Sequence, residues 1–254
     1  MTLEALIFDV DGTLAETEEW HRHSFNAAFA DAGLDWHWDQ ATYGRLLEVT
    51  GGKERIGHFA AGRGEAIDAA MIARLHAAKT ARYVASIEAG AVSLRPGVSR
   101  LLLEAREAGL RLAIATTTTP ENVTALLRIT LGPDGAALFE CIGAGDMVAA
   151  KKPAPDVYQL VLDRLQIEPG RCIAFEDTPN GLQSARGAGI ATVVTLSLYG
   201  GTAGFEDALM VVDGLGDADA PCRVLRGASL DSAVLRVTDL RRALGEIPRS
   251  ADHA

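Results

Sequence analysis

The stretch LEALIFDVDGT, residues 3–13, decides how the rest of the chain is read. Residues 3–10 are short and mostly apolar, and Asp11-Gly12 supplies a turn immediately afterwards. An apolar run of this length bounded by turn chemistry is the pattern of a strand buried on both faces. Similar runs recur at 110–116 (LRLAIAT), 139–143 (FECIG), 171–175 (RCIAF) and 190–196 (IATVVTL), and helical patterns lie between them. Residues 96–107 put Val98, Leu101, Leu102 and Ala105 on one face and stop at Gly109. Thr119-Pro120 gives an N-cap and a first-turn proline for a helix through Leu127. Helices over 156–165 and 180–188, the latter closed by Gly189, complete the set. Strands alternating with helices predict an α/β fold, a doubly wound parallel sheet with helices on both faces and the N-terminal strand within it.

Residues 15 to about 92 break that alternation. His21, Phe25, Ala28, Phe29 and Ala32 recur at helical spacing before Gly33, and Ile72, Leu75, Lys79, Tyr83 and Ile87 do so after Asp68. This predicts an all-helical cap of residues 16–92 inserted after the first strand, over an α/β core built from 1–15 and 93–254, with hinges near 14–17 and 90–95. Trp20, Trp36 and Trp38 read as apolar core of that cap. Beyond Gly200 the pattern offers a strand at 209–213 and a weak helix at 238–244, with no readable function.

Composition narrows the function classes. The 254 residues carry 24 Lys+Arg against 34 Asp+Glu, a net charge of −10, with 48% hydrophobic residues. That is an ordinary globular balance, and its acidity argues against a nucleic-acid partner, whose phosphates demand a basic surface. No stretch approaches the roughly 18 consecutive apolar residues of a membrane helix, and no secretory segment is read before the first strand. Cys141, Cys172 and Cys222 are odd in number and widely spaced, which predicts buried reduced thiols in a cytoplasmic protein. His21-x-His23 diverges on a helix and reads as surface or pocket histidines rather than a metal pair. His37, His58, His76 and His253 form no constellation, and the dinucleotide fingerprint GxGxxG is absent where DVDGT stands.

Four places carry chemistry. Asp9 and Asp11 close the first strand, where a spacing of two sends both carboxylates to one side of an extended chain, and ligands of a parallel sheet bind at the strands' carboxyl ends. Thr116, with Thr117, Thr118 and Thr119, ends the second core strand where a helix begins, a place suited to an anion. Lys152 lies in KKPAPD, where Pro153 and Pro155 are expected to hold the chain extended and fix where the lysine points. Glu176-Asp177 follow RCIAF in EDTPNG, again at a strand's carboxyl end. Hard carboxylate oxygens from two strand ends suit Mg²⁺, while a hydroxyl and a lysine suit phosphoryl oxygens.

The ordered set FDVDGT, IAT, Lys152 before PAPD, and FEDTPNG resembles the haloacid dehalogenase superfamily of phosphatases and phosphomutases over residues 3 to about 200. The resemblance implies that Asp9 attacks phosphorus and that Asp11 serves as acid, then base. It implies that Thr116 and Lys152 hold the phosphoryl oxygens, and that Mg²⁺ is bound by Asp9, the Asp11 carbonyl, Asp177 and Glu176. Asp11 would have to start protonated although its reference pKa is about 3.9, and cap closure is the expected source of that shift.

Within the superfamily, AETEEWH, TGGKER, AAKTARYV and ATTTTPEN are similar to the CbbY group. That likeness implies release of the C1 phosphate of xylulose-1,5-bisphosphate, an inhibitor of the Calvin-cycle enzyme Rubisco, to leave xylulose 5-phosphate. The cap is then expected to bind a small sugar bisphosphate through Glu18, His21, Tyr43, Gly52, Lys53 and Lys79, with Thr117 and Thr118 below. TGGKER reads as a glycine-containing loop whose Lys53 and Arg55 approach the second anion. A β-phosphoglucomutase-like reading stays open, although Thr13 and Thr116 stand where that pattern commonly has Val and Ser. A receiver-type phosphoacceptor is about half this length and lacks the insert. The expected protein is a monomer without nucleic-acid or membrane partners.

Overall fold

The apolar runs pair as parallel strands in the computed structural model, which describes residues 2–245. In chain order the strands are β1 (Ala5–Phe8), β2 (Arg111–Ala115), β3 (Cys141–Gly143), β4 (Cys172–Glu176), β5 (Ala191–Thr195), β6 (Met210–Val212) and β7 (Val224–Arg226). Among the described residues they form one sheet ordered β3-β2-β1-β4-β5-β6-β7, parallel except for β7 at its edge. β1 is therefore central, with Phe8 in register with Ile114 on one side and with Phe175 on the other. The Phe8 and Phe175 rings stack at 4.5 Å, locking the two central strands where the loops carrying Asp9 and Glu176–Asp177 begin.

The alternation of side chains along β1 divides the core into two layers. Leu6 and Phe8 pack with Val98, Leu101 and Leu102 of α5 (Val98–Glu107) and with Val123, Leu126 and Leu127 of α6 (Pro120–Leu131). Ala5 and Ile7 face the other way, with Ala113, Ala115 and Ala174. These small residues leave room for Val157, Tyr158, Val161 and Leu162 of α7 (Asp156–Leu165) and for Ala185 of α8 (Pro179–Gly187). Each fully buried aliphatic side chain contributes about 1.5–3 kcal/mol, so the layers dominate stability. Helix α6 continues four residues past Leu127 because Leu131 also packs on the core, and it ends at Gly132. Behind the sheet α9 (Val237–Ala243) docks Leu240. The short edge strand β7 carried no alternation to reveal it in the sequence.

Between β1 and α5 the chain forms α1 (Glu18–Asp31), α2 (Gln40–Leu46), α3 (Gly52–Gly62) and α4 (Ala69–Glu88). They share a separate apolar cluster of Phe25, Phe29, Trp36, Trp38, Tyr43, Ile56 and Leu75. Asp39 and Asp68 start α2 and α4 by accepting the N–H groups of Thr42 and Met71, each at 2.6 Å. Trp36 and Trp38 lie in this cluster as expected, but Trp20 is 36% exposed, because its position on α1 turns away from the Phe25 face. TGGKER is not a loop throughout: Gly51, at φ +101°, is the N-cap residue of α3, so Lys53 and Arg55 sit on a helical first turn.

The segments joining these helices to the sheet run side by side. Ala15 bridges Leu94, and the Arg95 N–H donates to the Leu14 carbonyl at 2.9 Å. All three cysteines are buried, with no disulfide among the described residues. None of the described helices is long and apolar enough to cross a membrane. Residues 246–254, including His253, lie outside the described residues.

Candidate active site

The carboxyl ends of β1, β2 and β4 bring Asp9, Thr116 and Glu176 to one edge of the sheet. Lys152 meets them from the loop before α7, where its Nζ donates to Asp9 Oδ1 and Glu176 Oε1, both at 2.6 Å, and to the Ala115 carbonyl at 2.9 Å. That loop is not extended, as the prolines suggested. Ala154 N–H turns back to the Lys151 carbonyl, and this turn delivers the lysine into the core. The Tyr158 hydroxyl adds a 2.5 Å bond to Glu176 Oε1, and Ser197 Oγ donates to Asp177 Oδ2 at 2.6 Å.

Burial pushes Asp9 up to about 7, with Lys152 opposing and Glu176 adding repulsion. Burial also lifts Asp177 well above the usual carboxylate range, and Asp9 and Glu176 lift it further. For Lys152, desolvation works against the charge, but Asp9 and Glu176 hold it above the ordinary lysine range. Three carboxylates thus face one ammonium.

Asp9, Glu176 and Asp177 each offer an oxygen within 4.8 Å of the others, and all three are buried. Glu176 Oε2 has no hydrogen-bond partner among the described residues. Glycines make space for the group: a Cβ on Gly12 would sit 2.0 Å from Asp177 Oδ2, and one on Gly181 would sit 1.8 Å from Glu176 Oε2. A buried, oxygen-only site with an excess of negative charge and an orphaned acceptor fits a hard divalent cation such as Mg²⁺.

Asp11 does not share the partners of Asp9. β1 ends at Phe8, so the alternation of an extended strand no longer applies, and the Asp11 carboxylate turns to the helical insert. Its Oδ1 accepts from Thr17 Oγ1 at 2.5 Å and lies 3.0 Å from His21 Nε2. His21 Nδ1 lies 2.7 Å from Lys79 Nζ, and the His21 ring stacks on Tyr83 at 3.8 Å. An ammonium only donates, so Nδ1 accepts from Lys79 and Nε2–H donates to Asp11. Burial alone would raise the Asp11 carboxyl, but the His21 ring, the Thr17 hydroxyl and Lys79 hold it down to about 2. The expected upward shift on enclosure is therefore reversed in this arrangement. Burial and Lys79 lower His21, and burial lowers Lys79 to about 8.

A cavity of about 100 Å³ lies between the sheet edge and the helical insert. Asp9, Asp11, Lys152, Glu176, Asp177, Glu18, His21, Gly52, Lys79, Thr117 and Thr118 all line it. Thr116 is buried, and its Oγ1 accepts the Thr118 N–H at 3.2 Å. Thr119 holds the N-cap position of α6 without making a side-chain cap bond.

Two expected binding residues are not in the lining. Tyr43 is fully buried and donates to Glu18 Oε2 at 2.6 Å while accepting from Arg55 at 3.2 Å. Lys53 is about half exposed and pairs at 3.5 Å with Asp146, which is in the lining. The lining gains His76, Lys151, Asn180 and Tyr199, which the sequence reading had not selected. Tyr199 and Ser197 were findable, because they follow the carboxyl end of β5 as Asp9 follows β1.

Comparison with known proteins gives the family. A model of haloacid dehalogenase-like hydrolases matches residues 3–189. The protein CbbY of Cupriavidus necator is 53% identical over 229 residues, spanning 86% of this chain and 88% of that protein. The crystal structure of CbbY from Rhodobacter sphaeroides in complex with phosphate is 48% identical with a TM-score of 0.81, covering 84% of this chain and 95% of that one. A structure of the same protein, as an Asp-to-Asn mutant in complex with xylulose-(1,5)bisphosphate, is 47% identical with a TM-score of 0.81, covering 86% and 98%. The chain therefore belongs to the haloacid dehalogenase-like hydrolases, as a CbbY-like phosphoric monoester hydrolase.

Proposed function

We propose that the protein is a Mg²⁺-dependent phosphatase that hydrolyses xylulose-1,5-bisphosphate to xylulose 5-phosphate through a phosphoryl group carried on Asp9. The observation that carries the chemistry is the Lys152 ammonium shared between Asp9 and Glu176 beneath Asp11. The choice of substrate rests on the similarity to the CbbY that was crystallised with the bisphosphate.

In this reading an Asp9 oxygen attacks phosphorus as the bond to the C1 oxygen breaks, and that oxygen takes a proton from Asp11. Water then attacks the acyl phosphate, Asp11 takes the water proton, and phosphate leaves with Asp9 restored. Lys152 and the Thr116 loop hold the phosphoryl oxygens and offset the repulsion between dianion and carboxylate. Asp11 is ionised in the present arrangement, so the proton it donates first arrives through His21, whose Nδ1 accepts from Lys79. The Asp9 and Asp177 carboxylates, Glu176 and the Asp11 carbonyl would hold Mg²⁺, which when bound polarises the phosphoryl group as a Lewis acid. Arg55, Lys79 and Lys151 around the cavity supply positive charge for the second phosphate. The buried free thiols suit a reducing compartment such as the cytoplasm.

The test is phosphate release, with Mg²⁺ or with EDTA, from xylulose-1,5-bisphosphate, ribulose-1,5-bisphosphate, β-glucose 1-phosphate and phosphoglycolate. Mg²⁺-dependent release from the xylulose compound, with the ribulose compound spared, is the expected result. Conversion of β-glucose 1-phosphate to the 6-phosphate without net release would replace the phosphatase by a mutase.

A further inference from the structure

Arg95 begins the stretch RPGV at the end of the returning linker, and its side chain is only 11% exposed. One guanidinium there joins four segments. Nη1 donates to the Gly12 carbonyl, in the turn that follows Asp11, and to Thr195 Oγ1 at 3.2 Å. Nη2 donates to the Leu196 carbonyl at the end of β5, and Nε lies 3.3 Å from Glu16 on the outgoing linker. Its own backbone N–H is bonded to Leu14, beside the Ala15–Leu94 bridge. The two carbonyls it holds belong to the two loops that flank Asp177. The Gly12 Cα packs against the Asp177 carboxylate, and Ser197, next to Leu196, donates to it.

We propose that Arg95 is the pivot of the cap, a positioning residue that ties both linkers to the loops carrying Asp11 and supporting Asp177. The planar fork of five N–H donors serves two carbonyls, a hydroxyl and a carboxylate at once, which a lysine cannot do. Movement of the helical insert about the linkers is thereby referred to the same point that fixes the acidic pocket. The inference rests on the phosphatase reading above.

The test compares wild type with Arg95→Lys by hydrogen exchange, phosphate-release kinetics and thermal unfolding. Arg95→Lys is expected to speed exchange in residues 12–17 and 90–95 by tenfold or more, leave α7 and α8 unchanged, and lower kcat by about 10- to 100-fold with KM for a small phosphoester changed less than about threefold. A lower Tm with kcat or linker exchange unchanged overturns the proposal and leaves Arg95 a purely structural residue. Should Arg95→Lys fail to fold, Glu16→Gln removes the negative charge that faces Arg95 and the Leu198 N–H, and unchanged exchange in both linkers then overturns it. If wild type releases phosphate from none of the panel, the function reading fails, while the exchange data still decide whether Arg95 ties the linkers.

Discussion

Lys79 Nζ lies 2.7 Å from His21 Nδ1, joining α4 to α1 beside the Asp11 carboxylate. With its pKa brought down to about 8 by burial, Lys79 loses its proton in the mildly alkaline range. Once deprotonated it can no longer support the negative charge on Asp11 through His21. Phosphate release should fall as pH rises through about 8. Lys79→Met should remove that alkaline limb and lower kcat by about 10²-fold or more. A variant that retains the wild-type limb would detach the pH dependence from Lys79.

Asp9 gives a second pH test, read on stability. Its pKa in the fold is raised to about 7 from 3.8, so between these values the folded state binds more protons than the unfolded chain. Stability from this group is fully present below pH 3.8 and is lost as pH rises through about 7. Mg²⁺ should reverse that loss. At 100 times its Kd a ligand adds about 2.7 kcal/mol, roughly 5–10 °C in Tm for a chain of this size. The thermal shift on adding Mg²⁺ should therefore be larger at pH 8 than at pH 5, and equal shifts would argue against a cation at this pocket.

Asp9→Asn should keep the fold while phosphate release drops below detection. Removing one of three crowded carboxylates should also raise the Tm of the metal-free protein. Retained turnover would take the nucleophile assignment away from Asp9.

Tyr158→Phe removes the donor at 2.5 Å from Glu176 and leaves only Lys152 on that oxygen. Loss of a hydrogen bond to a charged group costs about 1.5–3 kcal/mol, and loss of a metal-site supporting contact commonly weakens affinity about 10-fold or more. Calorimetric titration with Mg²⁺ reads the affinity directly, and an unchanged Kd would confine Tyr158 to packing.

Lys53 and Lys79 looked equivalent as a pair of cap cations, but their surroundings separate them. Lys53 is about half exposed and pairs with Asp146 at the cavity's rim without lining the cavity itself, while Lys79 is buried and faces it. Lys53→Ala should change KM for the bisphosphate by less than about threefold, as expected for an exposed ion pair. Lys79→Ala should cost far more on the same substrate, and equal losses would mean that the second phosphate reaches Lys53.

The parts of this molecule legible in the sequence are those set by local pattern. Residues 3–10 announced the central strand, and the helix expected over 156–165 is α7 to the residue. Asp9, Glu176 and Asp177 were legible because each lies at a strand's carboxyl end in its motif, and Lys152 because it stands in KKPAPD ahead of a helix. The different partners of Asp9 and Asp11 were not, since they follow from where β1 stops. The line from Lys79 through His21 to Asp11 joins positions 58 and 10 residues apart, and only the packing of α1 on α4 creates it. Trp20 shows the limit of composition: three tryptophans in one insert suggested one core, but helical phase left one of them outside.

The central place of β1 bears on how the chain matures during synthesis. β1 precedes every other strand, yet its second neighbour is β4, and Lys152 reaches Asp9 across 143 residues. As the chain leaves the ribosome, the helical insert has the buried members of its own apolar cluster first, with α6 and Tyr199 to follow. β1 has one edge bare until residues 172–176 emerge. Nascent chains stopped before β4 would thus carry Asp9 without a completed acidic pocket, and phosphoryl transfer can begin only after about two thirds of the protein has been made.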